Sequence, residues 1–132
     1  MHIDRENLIQ IIACIIKSNS HGNTTTEYRE SLRNALKMCQ VIITSSDPES
    51  FFYNLGLELK DQNWTNNQIR YFNKITSELN KIAYAPQSLK DLIQSLDFED
   101  PKSMGKFQAH CALTFGLLPK TFKDFVNLIN NF

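Results

Sequence analysis

At 132 residues the chain has the size of a single domain and is long enough to bury a core without disulfide or metal staples. Hydrophobic residues make up 42% and charged residues 21%, a balance that excludes a disordered chain. Fourteen Lys plus Arg offset fourteen Asp plus Glu, giving zero formal net charge and a pI near 6.8; without a long-range positive field, composition argues against a dedicated nucleic-acid or anionic-membrane protein.

In chain order, helix 1 is predicted over 4–18, where Leu8, Ile9, Ile11, Ile12, Ile15 and Ile16 cover nearly half of the circumference. The run from Leu8 to Ile16 is about half of what crosses a bilayer. No basic region followed by an apolar stretch and a cleavage site stands at the start, so a cytoplasmic protein is expected. His21-Gly22-Asn23 reads as a loop. Helix 2, 25–44, opens on Thr24 paired with Glu27 and carries Tyr28, Leu32, Leu36, Cys39 and Ile43 as one stripe. That stripe keeps Val41-Ile42-Ile43-Thr44 helical although β-branched residues favour a strand.

Helix 3, 48–60, follows Ser46 paired with Glu49 and is apolar on two sides. Phe51, Phe52, Leu55 and Leu59 form one side, and Tyr53 with Leu57, at i and i+4, forms nearly the opposite one. Helix 4, 66–84, starts on the capping pair Thr65 and Gln68, with Trp64 and Ile69 spaced as a hydrophobic staple. Its core face is Phe72, Ile75, Leu79 and Ile82, with Tyr71 at the margin. Helix 5, 88–97, has Ser88 with Asp91 at its start; helix 6, 101–118, has Asp100-Pro101. Helix 6 shows a stripe of Met104, Phe107, Cys111, Phe115 and Leu118 and a second of Leu113 and Leu117. Helix 7, 121–131, opens on Thr121 with Asp124 and carries Phe122, Phe125, Val126, Ile129 and Phe132. The whole reads as one all-α domain, 1–132, a compact bundle of about seven short helices with helices 1 and 6 central. Asp47-Pro48-Glu49-Ser50-Phe51 and Asp100-Pro101-Lys102-Ser103-Met104 look alike because both obey helix-start rules.

Chemistry-bearing residues are sparse. Cys14, Cys39 and Cys111 are odd in number and widely spaced, and read as buried thiols in a reducing compartment. His110 and Cys111 are neighbours, but successive helical residues point about 100° apart and cannot engage as base and nucleophile. No two His or Cys fall at zinc-like intervals, and Gly22, Gly56, Gly105 and Gly116 form no phosphate loop. Asp97, Glu99 and Asp100 are explained by the helix start that follows them. No catalytic residue, cofactor or metal is therefore expected, and no enzymatic activity.

Two surfaces remain. Tyr53 and Leu57 are the candidates for binding a partner protein or a second copy of the chain, since aromatics dominate interface energetics. Arg29, Arg33 and Lys37 on helix 2, and Arg70, Lys74 and Lys81 on helix 4, are basic stripes able to track a phosphate backbone, although Glu30 and Glu78 interrupt them. The leading expectation is a small helical interaction module, an adaptor, inhibitor, chaperone or assembly factor. The alternative is a nucleic-acid-associated regulator using a basic stripe.

Overall fold

The computed structural model describes residues 5–20 and 25–132, with the side chains of residues 6–17 and 29–132. It is all-α. The described residues form α1 (Arg5–Ser20), α2 (Thr25–Thr44), α3 (Pro48–Asp61), α4 (Asn66–Leu79), a 3-10 turn (Asn80–Tyr84), α5 (Gln87–Ser95), α6 (Ser103–Phe115) and α7 (Phe122–Ile129), with no strand among them. Val41–Thr44 completes α2 as a helix.

Local chemistry sets most of these limits. Thr65 and Thr121 build complete capping boxes: the Gln68 and Asp124 amides donate to the two hydroxyls at 3.1 and 3.0 Å, and the Gln68 and Asp124 side chains accept from the cap N–H groups. At α3 the cap falls one residue later than the expected Ser46 and Glu49 pair. Asp47 Oδ1 accepts from the Ser50 amide at 3.2 Å, and Pro48 takes the first helical position, where its missing N–H is no loss. That amide bond holds the Asp47 carboxyl below its ordinary range. The Ser88 and Asp91 pair is absent as a cap, because α5 starts directly after Pro86 and Gln87 Nε2 donates to Asp91 Oδ1 at 2.8 Å. Asp100-Pro101 is a turn two residues ahead of α6, closed by the Lys102 amide on Asp100 Oδ1 at 2.9 Å. The resemblance between the segments at 47 and 100 thus ends at sequence. Thr24 with Glu27, the 21–23 loop and the Tyr28 side chain lie outside the described residues.

The centre of the bundle is α2, not the expected pair of helices 1 and 6. It packs against α1, α4, the 3-10 turn, α5 and α7. Ser31, Leu32, Ala35, Leu36, Met38 and Cys39 are wholly buried, and Asn34 and Gln40 nearly so. Gln40 is accommodated there through its Nε2, which donates to the Ile93 carbonyl at 2.9 Å and the Leu96 carbonyl at 3.1 Å and so ties α2 to the C-terminal end of α5, while its Oε1 is buried without a partner. α1 lays Leu8, Ile12, Ile15 and Ile16 along α2 and turns Glu6, Gln10, Ala13 and Cys14 outward. α6 is peripheral. Phe107 and Cys111 enter the core, with Phe107 edge-on to Phe125 of α7 at 5.7 Å, while Leu113 is 89% exposed. The second apolar stripe, Leu113 and Leu117, lies on the outer side rather than under neighbours. Gly116, at φ 71°, takes the left-handed conformation that stops α6.

α3 and α4 pack on each other through a glycine. A Cβ added at Gly56 would stand 3.2 Å from Phe72 Cε1, closer than ordinary contact, so the missing side chain sets how near the helices come. Phe72 is wholly buried and meets Phe52 edge-on at 6.3 Å.

Candidate interaction surfaces

The two sides of α3 separate clearly. Phe52, Leu55, Gly56 and Leu59 are buried, whereas Tyr53 is 68% and Leu57 45% exposed. Both sequence-selected residues therefore stand at the surface, one turn apart. Phe51, expected on the buried side, is exposed: it sits at the margin of that face and touches Phe52 edge-on at 5.1 Å.

Beside Tyr53 lies a notch of about 240 Å³ between the first half of α3 and the end of α4. Glu49, Phe52 and Tyr53 form one wall, and Asn73, Thr76, Ser77 and Asn80 the other. The Asn80 side-chain carbonyl is buried with no hydrogen-bond partner. Sequence alone could not join these walls, since each is an unremarkable polar edge until α3 and α4 are docked.

The basic stripe of α2 is drawn into intramolecular contacts. Arg33 Nη2 donates to the Phe98 carbonyl and Nη1 lies 3.7 Å from Glu30, while Lys37 Nζ sits 5.8 Å from the centre of the Phe98 ring. Burial, and then the neighbouring Arg33, push the Lys37 ammonium below its ordinary pKa. Arg29 is exposed at the start of this stripe. On α4, Arg70 and Lys74 are exposed, and Lys81, in the 3-10 turn, donates to Asn130 Oδ1 at 2.8 Å.

Arg33 and Lys37 also line a groove of about 720 Å³ that the sequence did not reveal, formed by α1, α2 and the loop at Asp97–Glu99. Cys14 opens onto it. The reading of three buried thiols is corrected here: Cys39 and Cys111 are buried, but Cys14 falls on the outward side of α1, one helical step from Ile15, which packs inward. Burial pushes the Cys111 thiol up to about 11 and that of Cys39 further. A thiol-reactive dye at pH 8 is accordingly expected to modify Cys14 in the native protein and to reach Cys39 and Cys111 only after denaturant is added, as mass spectrometry of the labelled peptides would read. Rapid native labelling of Cys111 would contradict its placement.

His110 is half-buried, its Nε2 enclosed without a hydrogen-bond partner and its ring edge-on to Phe115 at 6.0 Å. Asp97 and Asp100 spend their carboxylates on the turn before α6, where Asp97 Oδ1 accepts from the Glu99 amide at 3.0 Å. Among the described residues no group of three or more His, Cys, Asp or Glu is placed to hold a metal ion, and no helix is long and apolar enough to cross a membrane.

No protein-family model, curated protein or solved structure matches this chain. A functional reading therefore has to come from its surfaces.

Proposed function

We propose that this protein is a cytoplasmic interaction module that works by docking a partner protein through the outer side of α3 and performs no chemistry of its own. Adaptor, inhibitor, chaperone and assembly factor all fall within this reading. The observation that carries it is the exposure of Tyr53 and Leu57, one turn apart on a helix whose opposite side is already seated in the core. Burying an aromatic and a leucine against a partner removes apolar surface from water, and tyrosine is among the residues that most often anchor interfaces.

The pair makes the test clean. Because both side chains are exposed, the double variant Tyr53→Ser, Leu57→Ser is expected to unfold at nearly the wild-type temperature, surface changes usually costing no more than ~0.5 kcal/mol. The same variant is expected to lose a protein captured by the wild type from lysate treated with nuclease. A capture that is identical for variant and wild type would remove α3 as the docking surface. A capture abolished by nuclease, together with binding that weakens steeply with salt and with neutralisation of Arg70 and Lys74, would move the alternative, a nucleic-acid-associated regulator, to first place.

A further inference from the structure

We infer that Cys14 and the groove between α1 and α2 form a site for S-thiolation, where a low-molecular-weight peptide disulfide seats one half in the groove and leaves it joined to Cys14 through sulfur. Three groups there are each incomplete in a different way. Cys14 presents its thiol at the surface and opens onto the groove, whereas Cys39 and Cys111 are buried. Asn34 is only 7% exposed and lines the groove, yet its carboxamide makes no hydrogen bond among the described residues. Lys37, one turn further along α2, is half-buried and has no ion pair among the described residues. Its ammonium rests over the Phe98 ring, within electrostatic reach of the Cys14 sulfur.

What these three lack, taken together, is specific. A buried carboxamide without a partner is unfavourable until a donor or acceptor meets it, and a peptide group offers both. An ammonium stripped of part of its water gains from a carboxylate, which opposes the burial, and after it the Arg33 charge, that hold the Lys37 pKa down. A thiol exchanges with a disulfide. Amide, carboxylate and sulfur in one small molecule are a peptide thiol. The mixed charge of the lining fits the same class, since such a molecule carries an ammonium beside its carboxylates. Glu30, Asp97 and Glu99 disfavour a simple anion, and Arg33 and Lys37 a simple cation. The groove, about 720 Å³, holds the volume of some 24 waters at ~30 Å³ each, room for a chain of two or three residues. In the exchange Cys14 gives up its proton and its sulfur attacks one sulfur of the disulfide. The new S–S bond forms as the old one breaks, and the leaving thiolate takes up a proton. The disulfide is itself the oxidant, and an excess of reduced thiol reverses the step.

The reduced protein is incubated with glutathione disulfide and, separately, with cystamine, a small disulfide that carries ammonium groups and no carboxylate. Peptide mass spectrometry reads the rate of Cys14 thiolation, and each rate is divided by that of the same thiol in urea, where the groove is gone. The native-to-urea ratio is expected to be about fivefold higher for glutathione disulfide than for cystamine, the discrimination that one partly buried charge pair gives. Lys37→Gln is expected to abolish this preference at a nearly unchanged melting temperature, and Lys37→Arg to retain it. Added salt is expected to erode it in the wild type, a readout that needs no variant. Equal ratios for the two disulfides, a preference indifferent to Lys37→Gln and to salt, or a Cys14 that neither disulfide reaches in the native protein would overturn the site. Equal ratios would leave Cys14 an exposed thiol and nothing more.

Discussion

A chain cut after Lys120 is expected not to fold. The cut removes α7, and with it Phe122, Phe125, Val126, Leu128 and Ile129, all buried. Each such side chain is worth roughly 1.5–3 kcal/mol on burial, so together they are comparable with the entire net stability of a typical domain, about 5–15 kcal/mol. The cut also strips the edge-on partner from Phe107 and uncovers the side of α2 on which α7 lies. Far-ultraviolet circular dichroism and the spread of amide NMR signals would show a collapsed or unfolded chain. A cooperative melting transition in the truncated protein would mean that α7 is an appendage and that the packing described for it is wrong.

The second large effect concerns Phe72. Its replacement by alanine is expected to lower stability by roughly 3–5 kcal/mol, since the ring is wholly buried and its loss leaves a cavity between α3 and α4. The neighbouring glycine supplies a sharper test than the single variant. Alanine is preferred over glycine inside a helix by about 1 kcal/mol, but at position 56 the new methyl group would stand 3.2 Å from the Phe72 ring. Crowding in a packed core typically costs 1–3 kcal/mol, so in the wild type Gly56→Ala is expected to be neutral to destabilising. In the Phe72→Ala background the obstruction is gone, the helix preference is left alone, and the same change is expected to stabilise. Chemical denaturation of the four proteins closes the cycle, and the coupling should be at least ~1 kcal/mol. Additive effects would mean that α3 and α4 do not approach each other through this glycine.

Which parts of the fold could be read from sequence follows from where the deciding interactions are local. Thr65 and Thr121 cap their helices through residues three positions away, so their helix starts were legible in a single window. Ser46 and Ser88 offered the same spacing, and Asp100 a cap followed by proline, and all three failed, because Asp47, Pro86 and the turn over 100–102 satisfied the backbone first. Position in the bundle was not local and was misread. α6 is apolar on more than one side and was expected at the centre, yet its leucine at 113 faces outward. α2 hides its central place behind Ser31, Asn34 and Gln40, polar residues whose burial depends on partners such as the carbonyls of Ile93 and Leu96, more than 50 positions away. The candidate surface divides along the same line. Tyr53 and Leu57 were legible from helical spacing, whereas the walls of the neighbouring notch meet only when α3 and α4 pack, and Cys14 reaches the surface by a single helical step.

The position of α2 has a consequence for how this protein changes over evolutionary time. Between residues 29 and 44 only Arg29 and Thr44 are exposed, and the helix is hemmed in by four other helices and the 3-10 turn. A substitution on a surface helix meets water and is absorbed; one on α2 meets a neighbour on almost any side. Drift should accordingly be slowest from Ser31 to Ile42 and fastest on the outward sides of α4 and α6. Descendants of a common ancestor that had diverged too far to align elsewhere would still share the small, buried steps Ser31, Ala35 and Cys39, and that short segment is where kinship would be detected last.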